Sequence, residues 1–268
     1  MKKIMPLFLV VAVALLSSVF CYAHFGLLIP SAPTVMETKD ATITLDAKFW
    51  HPFEGQGMNL EKPKSLSVYV DGKPSDLLPT LKETKEGAFK TWSLSYKIAR
   101  PGLYEFVMEP HPYWEPEEDK FIIHYTKVYV DAFGDSEGWD KPTPGLKTEI
   151  VPKVKPGALY AGNVFVGQVL LDGKPVADGE VEIEWYPGPG KVGQAPYESM
   201  VTQVALTDSQ GLFSFAAPAE GWWGFAALND ADYKIAFEGK DKDVELGGVL
   251  WLYFHKFPPA VPAPAAKK

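Results

Sequence analysis

The most constraining feature of this chain is a succession of short runs rich in Val, Ile, Thr, Tyr and Phe, broken by turns that contain Gly, Pro and Asp. The runs ATITLDAKFW at 41–50 and GLYEFVME at 102–109 are examples, and no segment has the periodicity of a long amphipathic helix. Short strands separated by turn residues at regular spacing are typical of β-sandwiches. The pattern therefore predicts an all-β fold.

Two sets of predicted strands are separated by a stretch that has no alternation. The first set is 27–36, 41–50, 65–71, 88–98, 102–109 and 120–131, and the second is 148–154, 163–171, 180–186, 200–207, 212–216, 221–228, 232–237 and 248–256. Between them, GDSEGWDKPTPGLK at 134–147 gathers Gly, Pro and charge, which indicates a domain junction. We therefore expect two tandem β-sandwich domains, over 24–145 and 146–257. The Pro- and Ala-rich end, 258–268, predicts a disordered tail.

The second half carries a recognisable order of strands and turns. GQVLLDGKPVADGEVEIEW followed by TDSQGLFSF resembles the carboxypeptidase-regulatory or transthyretin-like β-sandwich, in which a DGKPV-type turn joins two strands before a later hairpin. We treat the first half as an immunoglobulin-like sandwich. The transthyretin-like and immunoglobulin-like assignments both describe the fold, and neither indicates a chemical function.

The N-terminus has the three parts of a secretory signal. Lys2 and Lys3 precede the apolar run PLFLVVAVALL, and small residues end the segment at Cys21-Tyr22-Ala23, so we predict a signal peptide over 1–23. The run is shorter than the ~20 residues that span a bilayer, so we expect export without membrane insertion. Cleavage removes Cys21, which is the only cysteine. It also removes two of the 26 basic residues, which leaves 24 against 34 acidic residues and a net charge of −10. This charge argues against nucleic acid and favours cations as partners.

Four of the five histidines are predicted to lie at one end of the first domain. His24 begins the mature chain, His51 follows the second strand, His111 lies in the loop after the fifth strand, and His124 lies near the start of the sixth. In an immunoglobulin-like sandwich these loops share one end, and the first strand runs antiparallel to the second. The sequence therefore predicts a histidine-rich metal site at the tip of the domain.

The predicted chemistry depends on the free terminus. An N-terminal histidine offers its α-amine and Nδ1 to one ion in a six-membered chelate, and other imidazoles complete the shell. Nitrogen ligands suit Ni²⁺, Co²⁺, Cu²⁺ and Zn²⁺, and not Ca²⁺ or Mg²⁺. In HPFEGQGMNL, Met58 is a candidate thioether ligand or a packing residue, and Glu54 is a candidate ligand or a partner that orients His51. The stretch PHPYWEPEEDK at 110–120 places aromatic rings beside carboxylates. Either these residues wall a cation-attracting pocket, or Trp114 plugs the sandwich end and the acidic run is solvated.

Several segments together resemble one protein family. HFGLLIPS from His24, FWHPFEGQGMNLEKP, PYWEPEEDKFIIHYTKV and GWWGFAALNDADYKI are similar to exported proteins of the DUF4198 class, described as the periplasmic component of cobalt/nickel uptake systems. The resemblance implies a periplasmic metal-handling protein with Ni²⁺ or Co²⁺ as cargo and an inner-membrane uptake transporter as partner. His24, His51 and His124 lie within the matching motifs, whereas His111 lies just outside one of them.

Three functional hypotheses remain open. The first is a periplasmic transition-metal binding protein that captures an ion or delivers it to the transporter. The second is a structural or adhesive β-sandwich protein, and the third is a copper enzyme that uses an N-terminal histidine and a second histidine as a brace. The sequence has no phosphate loop or His-Glu-x-x-His motif, so we expect no conventional enzymatic activity.

Overall fold

A computed structural model describes residues 24–134 and 137–260, which form β-strands and short 3₁₀ helices without an α-helix. The predicted signal peptide over 1–23 and the last eight residues of the predicted tail lie outside the described residues. Within the described part of the chain, no helix is long and apolar enough to cross a membrane.

The strands follow one another along the whole described chain. In the first half they are β1 (Phe25–Pro30), β2 (Thr34–Val35), β3 (Thr42–His51), β4 (Gln56–Met58), β5 (Ser65–Val70), β6 (Lys73–Asp76), β7 (Lys82–Glu86), β8 (Phe89–Lys97), β9 (Gly102–Glu109), β10 (Tyr113–Glu115) and β11 (Lys120–Ala132). In the second half they are β12 (Thr148–Pro152), β13 (Val164–Leu171), β14 (Lys174–Pro175), β15 (Glu180–Tyr186), β16 (Gln203–Leu206), β17 (Leu212–Ala216), β18 (Gly221–Asp230), β19 (Ile235–Phe237) and β20 (Lys240–Phe254). The 3₁₀ helices are Thr38–Asp40, Leu78–Thr80, Pro156–Ala158 and Glu198–Met200.

The strands form two outer sheets and one long central sheet. The first outer sheet has the order β1-β3-β8-β7, with β4 added to β3, and the second has the order β12-β13-β14, with β17 added to β13. The central sheet has the order β16-β15-β18-β20-β11-β9-β5-β6. Its two halves join where β11 and β20 pair in parallel, from Lys120 opposite Asp243 to Val128 opposite Trp251. One sheet therefore runs through both halves of the chain.

The outer sheets pack on opposite faces of the central sheet. Successive side chains of a strand point to opposite faces. On β20, Val249 and Trp251 belong to the core beneath the first outer sheet, whereas Leu250 and Leu252 belong to the core beneath the second. The predicted all-β sandwich fold is confirmed, and its two sandwiches share their inner sheet. The predicted division at 145/146 falls between β11 and β12 and stays a prediction.

Some strands differ from the predicted ones for local reasons. The last predicted strand, 248–256, begins eight residues earlier in the structure, as β20 (Lys240–Phe254). Residues 240–243 have the polar composition of a turn, but they pair with β19 and β11. The first predicted strand is interrupted after Pro30, and β2 pairs with β11 instead of β3. The three-residue strands β4 and β10 are too short to show a period.

Candidate functional site

The pairing of β1 with β3 places His24 beside His51. The strands are antiparallel with Phe25 opposite Trp50, so the next pair outward is His24 and His51. Their ring centroids lie 4.5 Å apart with an angle of 54° between the planes. His51 is buried where β3 ends. The structure therefore brings together two of the predicted site residues at the predicted mature N-terminus.

Glu115 on β10 holds the ring of His24. Its Oε2 lies 2.8 Å from Nε2 of His24, and the two side chains are 7 % and 10 % exposed. Its Oε1 accepts a hydrogen bond of 3.0 Å from the backbone N–H of Glu117. A carboxylate on Nε2 orients the imidazole, and the predicted chelate would use the opposite nitrogen, Nδ1. From the sequence, Glu115 is one of several carboxylates in an aromatic stretch. Its contact with His24 cannot be predicted, because β10 is too short to show an alternating pattern.

Two aromatic rings lie against the histidine pair. The Phe49 ring stacks 5.6 Å from the His24 ring and also lies 5.6 Å from that of His124. Tyr113 lies 4.9 Å from Phe49 and 6.1 Å from His24. Burial, followed by the charge of Glu115, raises the pKa of the Tyr113 hydroxyl. The pair therefore has apolar neighbours, which strengthen electrostatic interactions by lowering the local dielectric.

His124 lies on β11, where it is 1 % exposed. Its Nδ1 accepts a hydrogen bond of 3.2 Å from the backbone N–H of Gly26. Its Nε2 lies 3.7 Å from Oε1 of Glu245 and has no hydrogen-bond partner among the described residues. His124 therefore supports β1 through one nitrogen and faces Glu245 with the other.

The other three predicted ligands have different surroundings. His111 is exposed between β9 and β10, and no ring contact within the described part of the chain joins it to another histidine. Met58 lies opposite Phe49 on β4 and packs against the first core. Glu54 is partly buried, and burial followed by the charge of Glu198 raises the pKa of its carboxyl. The ligand roles of these three residues stay predictions.

The turn after His51 is anchored to the second half of the chain. The backbone N–H of Phe53 donates a hydrogen bond of 3.1 Å to Oε2 of Glu184, and its carbonyl accepts one of 2.6 Å from Gly193. Glu184 is 2 % exposed, and burial raises its pKa to about 7 despite hydrogen bonds from Thr202 and Phe53. This anchor joins residues 131 positions apart, and no local sequence signal predicts it.

The side chains alone do not form a complete metal centre. Within 24–134 and 137–260, no group of three or more His, Cys, Asp or Glu side chains is placed to hold one ion. A centre whose ligands are the α-amine and imidazole of an N-terminal histidine and the imidazole of a second residue needs only two histidines. The His24–His51 pair is compatible with that smaller ligand set.

A family model described as a domain of unknown function, DUF4198, matches residues 21–231. The chain belongs to the DUF4198 family. No protein of curated function matches this DUF4198 protein in sequence.

Solved structures that align with the DUF4198 protein are β-proteins of low similarity. The D0-D1 domain of intimin is 12 % identical over 86 % of this chain and 100 % of its own, with a TM-score of 0.22. The fibronectin(III)-like modules of Clostridium thermocellum CbhA are 9 % identical over 86 % of this chain and 95 % of their own, also at 0.22. BcpA, the major pilin subunit of Bacillus cereus, is 10 % identical over 82 % of this chain and 63 % of its own, at 0.20. Similarity at these TM-scores carries no functional information.

Proposed function

We propose that this DUF4198 protein is an exported transition-metal binding protein that captures Ni²⁺ or Co²⁺ and delivers it to an uptake transporter. The observation that supports this function is the pair of imidazoles 4.5 Å apart, with Glu115 on Nε2 of His24. After cleavage before His24, its α-amine and Nδ1 would chelate the ion, and His51 would supply a third nitrogen. Glu115 would act as the outer carboxylate that orients a metal-ligating histidine and raises its basicity.

The proposed cargo follows from ligand chemistry and from the family. Nitrogen ligands select late first-row ions, and Cu²⁺ and Zn²⁺ share this preference with Ni²⁺ and Co²⁺. Nickel and cobalt are favoured because the DUF4198 class is described as part of their uptake systems. The periplasmic location and the transporter partner are supported by the same resemblance and by the predicted signal peptide.

Calorimetric titration of the processed protein with Ni²⁺, Co²⁺ and Cu²⁺ tests this function. We expect one ion per chain, and binding should weaken below about pH 6 because imidazoles protonate there. His51→Ala should weaken binding by more than about tenfold, and Glu115→Gln by about 10- to 100-fold. His255→Ala is the matched control, since that histidine follows β20 and pairs with Tyr160 in the second half of the chain, and it should leave affinity unchanged. Equal affinity of His51→Ala and the wild-type protein would exclude the proposed centre.

A copper enzyme is the second candidate, because an amine and two imidazoles are also the ligands of a histidine brace. The two imidazoles of this brace are largely buried. The His24 side chain is 10 % exposed, and His51 as a whole residue is 7 % exposed. This burial favours a bound cargo ion over direct attack on a polymer. Oxidised sugars released from chitin or cellulose, with copper and a reductant present, would support the enzyme instead.

A further inference from the structure

A groove of about 500 Å³ lies between the central sheet and the predicted domain junction. Strands β5, β9 and β11 contribute one wall, and residues 137–144 contribute the other. Sites that hold small ligands or short segments commonly measure about 300–1,000 Å³. The apolar lining of this junction groove consists of tyrosine, leucine and proline side chains, which are Tyr69, Leu103, Tyr129, Pro142 and Pro144.

Hydrogen bonds fix the two walls of the junction groove relative to each other. The Tyr129 hydroxyl donates a hydrogen bond of 3.1 Å to Oε1 of Glu105, and the Thr143 hydroxyl donates one of 2.7 Å to the same oxygen. Thr143 is buried, whereas its neighbours Pro142 and Pro144 are exposed. The groove is therefore formed before anything binds, which lowers the entropic cost of binding.

The chain itself contains a segment of the kind that such grooves bind. Residues 258–268 read PPAVPAPAAKK, with four prolines and no acidic residue. Proline-rich segments favour the polyproline II helix, and proteins bind this helix in grooves lined by aromatic rings. Since the helix has three residues per turn, one of its ridges would carry Pro258, Val261, Pro264 and Lys267.

Strand β20 ends at the same end of the central sheet as the junction groove. Val128 lies opposite Trp251, so continuing this parallel register places Phe254 level with Asp131, which pairs with Leu103 of the groove. From β20 to β5 the sheet has three strand spacings, or ~14 Å at ~4.8 Å each. Residues 256–268 would extend ~40 Å at ~3.1 Å per residue, which is ample to enter the groove.

The chain also leaves β20 on the correct face of the sheet. The Phe257 ring lies 5.1 Å from the Tyr160 ring, which follows Leu159 of the second core. Leu103 and Tyr129 of the groove belong to that same core. Tyr129 also lines a small cleft that includes His255. No strand must therefore be crossed to bring the segment to the groove.

The charges of the groove and the segment are complementary. Asp71, Glu105 and Glu137 line the groove together with a single cation, Lys141, whereas the segment carries Lys267 and Lys268. Asp71 already pairs with Arg100, and Glu105 lies 3.4 Å from the buried Lys127. Because ion pairs at an exposed rim contribute little, we expect the rings to supply most of the affinity.

We propose that the junction groove binds the chain's own Pro- and Ala-rich segment, residues 258–268, as a polyproline II helix. The prolines and Val261 pack against Tyr69 and Tyr129, and the lysines lie toward the carboxylates at the rim. This site does not depend on the proposed metal centre. Tyr129 is seven residues along β11 from Ile122, which pairs with β10 beside that centre, and this separation is ~23 Å at ~3.3 Å per residue.

A nitroxide label on the segment tests the proposal in the full mature chain. The form that begins at His24 has no cysteine, so Ala266→Cys supplies a single thiol for the label. We expect the label to remove most of the NMR amide intensity of Gly72 and Leu103, which line the groove. The amide of Val204, on the far edge strand β16 of the central sheet, should keep its intensity.

Two variants of the labelled chain examine the contact from both sides. Tyr69→Ala removes a groove ring, and Pro262→Gly/Pro264→Gly loosens the segment without changing the groove. Each should restore the Gly72 and Leu103 signals. Tyr197→Ala is the matched control, because this tyrosine is 72 % exposed and does not line the groove, and it should leave the broadening unchanged.

Three results would overturn the proposal. The first is full intensity of Gly72 and Leu103 in the labelled chain, and the second is unchanged broadening in both Tyr69→Ala and the double proline variant. The third concerns a mixture of spin-labelled chains with isotope-enriched chains that carry no label. Broadening of the enriched chains would show that the groove takes the segment of a second copy instead of its own.

Discussion

Gly26 allows the predicted mature N-terminus to lie directly on the central sheet. Its N–H donates to Nδ1 of His124, and its carbonyl accepts a hydrogen bond of 2.8 Å from Nε1 of Trp251. A Cβ atom at this position would overlap Oγ1 of Thr126 and approach Cβ of His124 to 3.1 Å. Because Gly26 has no side chain, β1 packs closely against β11 and the adjacent His24 lies near that strand.

We predict that Gly26→Ala destabilises the protein by about 1–3 kcal/mol, because the added methyl group overpacks the contact with Thr126. Urea unfolding of the wild-type protein, Gly26→Ala, Thr126→Ala and the double variant measures the coupling between these positions. Thr126→Ala should recover part of the loss. If the two single-variant effects simply add, the predicted overlap is wrong.

Glu182 makes stability depend on pH. Burial, and then the charges of Glu245 and other carboxylates, raise its pKa to about 8, above the ordinary value of 4.5. The folded state therefore holds a proton that the unfolded state releases, and the resulting stability is complete below about pH 4.5 and lost as pH rises through about 8.

Glu182→Gln should therefore stabilise the metal-free protein by about 1–3 kcal/mol at pH 8.5 and have little effect near pH 5. Urea unfolding in the presence of a chelator at both pH values measures this difference. Glu83→Gln, at an exposed carboxylate, should change stability little at either pH. A stabilisation by Glu182→Gln that is the same at pH 5 and pH 8.5 would contradict the raised pKa.

Among the elements, the pairing of β1 with β3 could be predicted from the sequence and β10 could not. Alternation in 41–50 and the turn at His51 locate the end of β3, and an antiparallel first strand then brings His24 to the same end. The three residues of β10 show no period, so the contact of Glu115 with His24 depends on tertiary packing. The sequence predicts His124 at the same end of the domain. Its hydrogen bond to Gly26 depends on the packing of β1 against β11, and its approach to Glu245 depends on β20, which is distant in sequence.

Lys127 connects β11 to β12 through a buried ion pair. Its Nζ lies 2.6 Å from Oε2 of Glu149, and the side chains are 0 % and 5 % exposed. Glu149 also accepts hydrogen bonds of 3.0 and 3.1 Å from the backbone N–H of Thr143, in the predicted domain junction. The pair therefore holds the junction against the central sheet.

Lys127→Met should destabilise the protein by about 3–5 kcal/mol, because it leaves the Glu149 carboxylate buried without its cation. The double variant Lys127→Met/Glu149→Leu should recover much of this loss. Lys147→Met is the control, since its pair with Asp172 is more exposed and should contribute little to stability. Urea unfolding of all four proteins provides the comparison, and equal losses for Lys127→Met and Lys147→Met would contradict this role.

At the scale of the whole molecule, the shared central sheet joins the two sandwiches. The alternating strands of each half predict a sandwich, but the parallel pairing of β11 with β20 links residues more than one hundred positions apart. No turn residue or local hydrophobic pattern in the sequence predicts this pairing. Lys48 adds a second link, because its buried Nζ donates a hydrogen bond of 2.8 Å to the Tyr186 hydroxyl of the second half.

We therefore predict that the two halves unfold in one cooperative transition. Separating them would expose the paired edges of β11 and β20 together with parts of both cores. Differential scanning calorimetry should give a single peak whose van't Hoff and calorimetric enthalpies agree. Two resolved peaks would show that the halves are independent folding units.

The role of the free terminus at His24 is tested most directly by comparing two forms of the protein in one nickel titration. One form begins at His24, verified by mass spectrometry, and the other carries a single extra alanine before it. We predict one Ni²⁺ per chain for the first form and an affinity lower by about tenfold or more for the second, because the chelate loses its primary amine. Equal affinities for the two forms would contradict a metal centre built on the N-terminal histidine.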